Sequence, residues 1–170
     1  MASASLIDNI RFFKKIVNDY YLKSLGVSVY GPQEVNNLSE CSLDLAYQFP
    51  LNILDQRFLG IDMPIGKKYA RSIFLQGILA SPNFIREECP IELKEIHKKY
   101  HAHLLKHGID PIEAAISFVA DNKQVDHFLV GIDSLRQLKK ILFLKLKDLS
   151  PFIDSIPLKL NSYYSDPRNW

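Results

Sequence analysis

The chain has 170 residues, 47% of them hydrophobic and 24% charged, which is enough apolar content for one globular domain and too much for a disordered one. Its 21 basic and 19 acidic residues are interspersed and leave a net charge of +2, so charge makes no case for nucleic acid or an anionic membrane surface as partner. Cys41 and Cys89 lack the spacing of a disulfide framework or a zinc site, and a reducing cytoplasm is expected. The first residues lack a basic region followed by an apolar core, and no stretch reaches the roughly 18 apolar residues of a membrane span.

In chain order, residues 6–21 read as an amphipathic helix, with Ile7, Ile10, Phe13, Ile16 and Val17 at three- and four-residue spacing. A first strand over 22–29 ends at Gly31-Pro32, and Pro32 suits the first turn of a helix running to about residue 40. The second strand covers 43–49, with Pro50 at its exit. Gly60, Pro64 and Gly66 interrupt the next connection, which is expected to hold only one or two helical turns over 51–66. A third strand spans 69–75. Residues 91–107 form a long helix stopped by Gly108. Asp110 and Pro111 are the cap and first residue of an almost wholly apolar, buried helix to about residue 120. The fourth strand is 125–130, and Asp133 or Ser134 caps a last helix over 135–146. The tail, rich in Pro, Ser and Asn, is expected to run over the surface as a loop.

Strands separated by helices at this spacing indicate an α/β protein with a parallel sheet. Four segments then carry a more specific likeness: Gly26-Val27-Ser28-Val29-Tyr30-Gly31-Pro32, Tyr47-Gln48-Phe49-Pro50-Leu51-Asn52-Ile53-Leu54-Asp55-Gln56-Arg57, Ala70-Arg71-Ser72-Ile73-Phe74-Leu75-Gln76-Gly77-Ile78-Leu79 and Val125-Asp126-His127-Phe128-Leu129-Val130-Gly131-Ile132-Asp133-Ser134-Leu135-Arg136-Gln137-Leu138. Together, and in this order, they resemble the aldo/keto reductase family over residues 6–148, matching strands five to eight of its barrel. The run Arg71 to Gly77 and the closing Asp166-Pro167-Arg168-Asn169-Trp170 are similar to bacterial members of sugar and surface-polysaccharide pathways.

The resemblance implies a partial TIM (β/α)8 barrel of about four parallel strands, followed by a tail over 149–170. It implies an oxidoreductase domain using NADH or NADPH, with the cofactor held at the strand ends. Ser28 and Gln48 match the family's ligands of the nicotinamide carboxamide. Ser72, Phe74 and Gln76 match the segment around the pyrophosphate, and Gly131, Ser134 and Gln137 the loop and helix start near the adenosine phosphate. Val29 stands where the family has an asparagine, Arg71 where many members have a stacking tyrosine, and Gln137 where an arginine meets a 2′-phosphate, with Arg136 and Lys140 nearby. The family's catalytic aspartate, tyrosine, lysine and histidine come from strands one to four, so none is assigned here. The expectation is a truncated barrel half lacking its acid/base set, which self-associates or meets a complementing N-terminal half. A non-catalytic NAD(P)-binding or interaction module is the alternative.

Blander readings stand beside these. Ser28, Gln48 and Ser72 could merely satisfy backbone groups at strand ends. His97, His101, His103 and His107 form two i, i+4 pairs of a spacing that suits zinc, but no carboxylate completes them and Lys98, Lys99 and Lys106 oppose a cation; a solvated helix face is expected. Tyr20-Tyr21 and Tyr163-Tyr164 read as packing or tail anchors, and Trp170 as a clasp on the barrel's outside.

Overall fold

The computed structural model describes residues 4–39, 45–146, 149, 152, 163, 164 and 166–169. Helix α1 (Ala4–Asp19) leads into β1 (Gly26–Ser28), then α2 (Pro32–Ser39), β2 (Ala46–Pro50) and β3 (Lys68–Arg71). Next come α3 (Ile91–Lys106), α4 (Pro111–Ala120), the short β4 (His127–Phe128) and α5 (Leu135–Leu142), with a 3-10 turn over Pro167–Asn169. The four strands form one sheet in the order β1-β2-β3-β4, and every pair is parallel. Successive strands pair with their neighbours, which is how a (β/α) barrel grows, and the chain is a partial TIM barrel.

The register aligns Ser28 with Gln48, Gln48 with Tyr69, and Pro50 with Arg71. Within β2, Tyr47 and Phe49 are buried in a cluster with Val29, Val35, Leu45, Ala70, Ile116 and Val119, while the alternating Ala46 and Gln48 are half buried. This period-two division is what turns one strand face to the core and leaves the other for a site. A second cluster joins Leu75, Ile78 and Leu79 to Leu93, Tyr100 and Leu104 of α3 and Ala114 of α4.

Several expected elements differ. Strands β1, β3 and β4 are shorter than their expected runs, β4 keeping only two residues, while β2 runs on through Pro50. The third strand stops at Arg71 because Ser72 adopts φ +59°, a left-handed conformation no strand continues through, so Ser72, Phe74 and Gln76 lie in the following turn. Residues 51–67 contain no helix; Asn52 and Asp55 exchange backbone hydrogen bonds there at 3.1 Å in both directions, a tight loop instead of a helical start. Helix α5 ends at Leu142, short of the expected 146. The caps match expectation. Asp110 accepts from the Ile112 and Glu113 N–H groups with Pro111 following, Ser134 accepts from Gln137 N–H, and Gly108 takes φ +64° just after α3. Glu40, Cys41, the start of the expected second strand and Trp170 lie outside the described residues.

The solvated histidine face holds for the exposed His107 and in part for the half-buried His103, and is overturned for His97 and His101. His97 and His101 are 6% and 7% exposed, and their Nε2 atoms lie 3.0 Å and 2.9 Å from the Ser81 and Ile78 carbonyls, which fixes Nε2–H as the donor on each. Burial holds His101 below the ordinary histidine pKa, against the opposing pull of the Ile78 bond. Among the described residues no group of three or more metal-ligating side chains is brought together. Tyr20 and Tyr21, expected to pack, are 72% and 95% exposed.

Candidate functional site at the strand exits

Parallel strands direct all their C-terminal ends to one rim, and the side chains just past those ends share a surface. At the first two exits Ser28 Oγ and Gln48 Oε1 lie 3.4 Å apart across the β1–β2 register, and Val29 N–H donates to the Gln48 carbonyl at 2.8 Å. At the third, Arg71 donates from Nη1 to Ser72 Oγ at 3.3 Å and from Nη2 to the Val29 carbonyl at 3.2 Å, tying β3 to β1 across the rim. Its guanidinium carbon sits 4.2 Å from the Tyr30 ring centroid, and Arg168 from the tail sits 3.6 Å from the same centroid. Tyr30 N–H and Gly31 N–H both face Glu34 Oε2, at 2.6 Å and 3.4 Å, which settles the turn between β1 and α2.

Two buried groups brace these exits. The fully buried Asn52 donates from Nδ2 to the Ser72 carbonyl at 3.1 Å, and its Oδ1 accepts from Leu54 and Asp55 N–H at 3.0 Å and 2.9 Å. Asp55 holds Arg57 through two bonds of 2.8 Å; the Asp55 bond raises the Arg57 pKa despite its partial burial. Asp166 also acts on Arg57, and Arg168 holds the Asp166 carboxyl below the usual range, so the tail's charges bear on the exit of β2.

After Ser72 the backbone stays unusual: Leu75, Gln76 and Gly77 take φ of +43°, +56° and +91° in succession. Non-glycine residues in this region carry strain, which gathers at ligand sites and turns. Gln76 is exposed; Phe74 is half buried against the sheet's core. Beyond β4, Gly131, Ser134 and Gln137 are exposed at the start of α5, where Ser134 Oγ accepts from Gln137 N–H at 3.2 Å and Gln137 Oε1 from Asp133 N–H at 2.7 Å. The structure thus gathers Ser28, Gln48 and Ser72 through Arg71, sets Phe74 and Gln76 in the adjoining turn, and engages Ser134 and Gln137 with each other in the cap of α5. In the sequence Asn52 stands out only as part of a motif and the Tyr30–Arg168 stack not at all, because neither the burial of Asn52 nor the return of the tail has a local signal. A cavity of about 550 Å3 lies elsewhere, against α3, lined by His97, His101, Leu105 and Ile109 among others and by none of these residues.

The fold and rim define an incomplete parallel (β/α) barrel with a polar site at its C-terminal face. Aldo-keto reductases are among the solved structures it matches, and the likeness lies in the fold. The chain superposes on the glycerol dehydrogenase of Gluconobacter oxydans with a TM-score of 0.62 at 18% identity, covering 85% of this chain and 51% of that one. It superposes on an aldo-keto reductase of Bacillus halodurans in its apo form with a TM-score of 0.71 at 16% identity, covering 98% and 62%. The holo form of that protein gives 0.64 at 14% identity, covering 91% and 57%. The chain therefore spans between half and two thirds of the structures it matches. No protein-family model matches the sequence, and no curated protein does.

Proposed function

We propose that residues 6–148 are the cofactor half of an aldo/keto reductase-like, NAD(P)-dependent oxidoreductase, with 149–170 as its tail. The observation that carries this reading is the meeting of Ser28 and Gln48 at the exits of adjacent parallel strands on a barrel shared with aldo-keto reductases. Their 3.4 Å contact is long for a bond between an O–H and an amide oxygen, so both groups exchange readily for a ligand amide. When bound, the nicotinamide cofactor would supply the hydride for reducing a carbonyl. The chain's own residues would hold it: Ser28 and Gln48 at the carboxamide, Ser72, Phe74 and Gln76 around the pyrophosphate, and Gly131, Ser134 and Gln137 near the adenosine phosphate. Ser134 and Gln137 would have to loosen their mutual cap to do so.

In this reading residues 6–148 correspond to the half of full-length relatives that does not carry the tyrosine, lysine, histidine and aspartate that move protons there; those relatives reduce carbonyls, including those of sugars. Arg71 favours the second reading, a non-catalytic NAD(P)-binding or interaction module. Where a flat aromatic face would support the nicotinamide, a guanidinium is locked to Val29 and Ser72. Fluorescence titration of the chain with NADH and with NADPH tests the proposal. Saturable binding that weakens about tenfold in Gln48→Ala, the loss of roughly one polar contact, supports it. Equal affinity in wild type and Gln48→Ala refutes the site, and binding with no turnover of any aldehyde even when the uncovered part of the Bacillus halodurans aldo-keto reductase is supplied selects the second reading.

A further inference from the structure

We propose that the cavity against α3 is a binding site for an alkyl carboxylic acid with a hydroxyl close to its acid group, a medium-chain 3-hydroxy fatty acid being the simplest case. The cavity has a volume of about 550 Å3 and shares no lining residue with the strand exits. Small-molecule sites span about 300–1,000 Å3 and are mostly apolar, with a few placed polar groups. This one is built that way. Leu104 on its wall belongs to the second core cluster, and Ile85 and Ile109 pack against that cluster. Phe152 of the tail stacks on His103 and His107 at 4.7 Å and 5.1 Å, and neither of these histidines lines the cavity.

The polar groups select the ligand. Lys94, Lys98, His101 and Leu105 line the cavity at helical spacing, which sets them in one row along α3. The two lysines make one end of this row positive. No Asp or Glu lines the cavity, the ammonium of the exposed Lys98 has no partner among the described residues, and Lys94 gives only one of its three donors to the Glu87 carbonyl, at 2.6 Å. A carboxylate matches that charge. At a helical rise of about 1.5 Å per residue, His101 follows Lys98 by about 4.5 Å and Leu105 lies about 6 Å further on. His101 is 7% exposed, and its Nε2–H is committed to the Ile78 carbonyl at 2.9 Å. Its Nδ1 is therefore an acceptor, and that atom has no hydrogen-bond partner among the described residues. Burial lowers the His101 pKa, which keeps this nitrogen unprotonated at neutral pH. An enclosed acceptor without a donor is unfavourable, and an O–H group reaching it from the cavity side removes that deficit. A carboxylate brings no donor, so the ligand needs a hydroxyl beside its acid group. Past His101 the row turns apolar, with Leu105 82% exposed and Ile109 following. No Phe, Tyr or Trp lines the cavity to stack on a flat ring, and an alkyl chain fits this end.

The test is calorimetric titration of the chain at neutral pH with 3-hydroxydecanoate and with decanoate, both kept below their micelle concentrations. The hydroxy acid should bind saturably at one site, and decanoate about tenfold more weakly, the loss of roughly one hydrogen bond. Lys98→Glu and Leu105→Glu alter exposed side chains and should leave the thermal midpoint nearly unchanged while weakening 3-hydroxydecanoate at least tenfold. His101→Phe should abolish the preference for the hydroxy acid; because it also removes the bond to Ile78, the two surface variants carry the test if it fails to fold. Absence of saturation, equal affinity for the two acids, or an affinity unchanged in either surface variant overturns the proposal. Saturating NADPH should not displace the acid, and displacement would move it to the strand exits and overturn the proposal as well. The titrations need no cofactor, so failure here is distinct from failure of nucleotide binding.

Discussion

Replacing Asn52 by alanine tests whether the rim is a braced structure. Its side chain makes three hydrogen bonds at zero exposure: to the Ser72 carbonyl, and from the Leu54 and Asp55 N–H groups. Asp55 N–H keeps a second acceptor, the Asn52 carbonyl at 3.1 Å, so alanine orphans chiefly the Leu54 N–H and the Ser72 carbonyl. At about 1 kcal/mol net per bond, and more for a buried group left unpaired, the expected loss is about 2–4 kcal/mol. For a domain with a urea slope near 2 kcal/mol/M, the unfolding midpoint should fall by about 1–2 M. Because Asn52 fixes the carbonyl of Ser72, whose φ is +59°, the same variant should also weaken nucleotide binding. The control is Gln56→Ala, an exposed side chain donating one bond to the Ile53 carbonyl, which should cost about 0.5 kcal/mol or less. A midpoint shift in Asn52→Ala no larger than in Gln56→Ala would refute the brace.

Three further outcomes are expected. Burial lowers the His101 pKa in the folded state, so the unfolded chain binds more protons near pH 6; stability rises with pH and is lost as pH falls below about 6.5. Urea unfolding at several pH values should show this slope in wild type and a smaller one in His101→Gln, and equal slopes would count against it. Asp110→Ala removes the cap of α4 and should cost about 1 kcal/mol by thermal melting, nearly all of it from the cap, since the partly exposed Lys140 pair contributes little; no loss would contradict the capping geometry. Gln76→Gly relieves a left-handed φ of +56° and should stabilise the fold by about 0.5–1 kcal/mol, whereas a destabilised variant would show that the Gln76 side chain makes a needed contact.

What the sequence by itself determined was local or periodic. Asp110 with Pro111, Asp133 or Ser134 ahead of α5, and Gly108 after α3 mark their helix ends because a cap is made within three or four residues of chain. The order of strands and helices and the parallel sheet followed from spacing, since a crossover long enough to hold a helix returns a strand in the same direction. Strand lengths did not follow, because an apolar run shows burial but not where a neighbour stops pairing. The burial of His97 and His101 depended on the Ile78 and Ser81 carbonyls turning toward α3, which no helical period encodes. At the rim, Ser28 and Gln48 were legible as candidates through the motifs they sit in. The link from Arg71 to Val29, the two arginines on Tyr30 and the Asn52 brace were decided only when distant segments met at the strand exits. Local chemistry is written along the chain, whereas a site made of four strand ends exists only once the sheet has put them side by side.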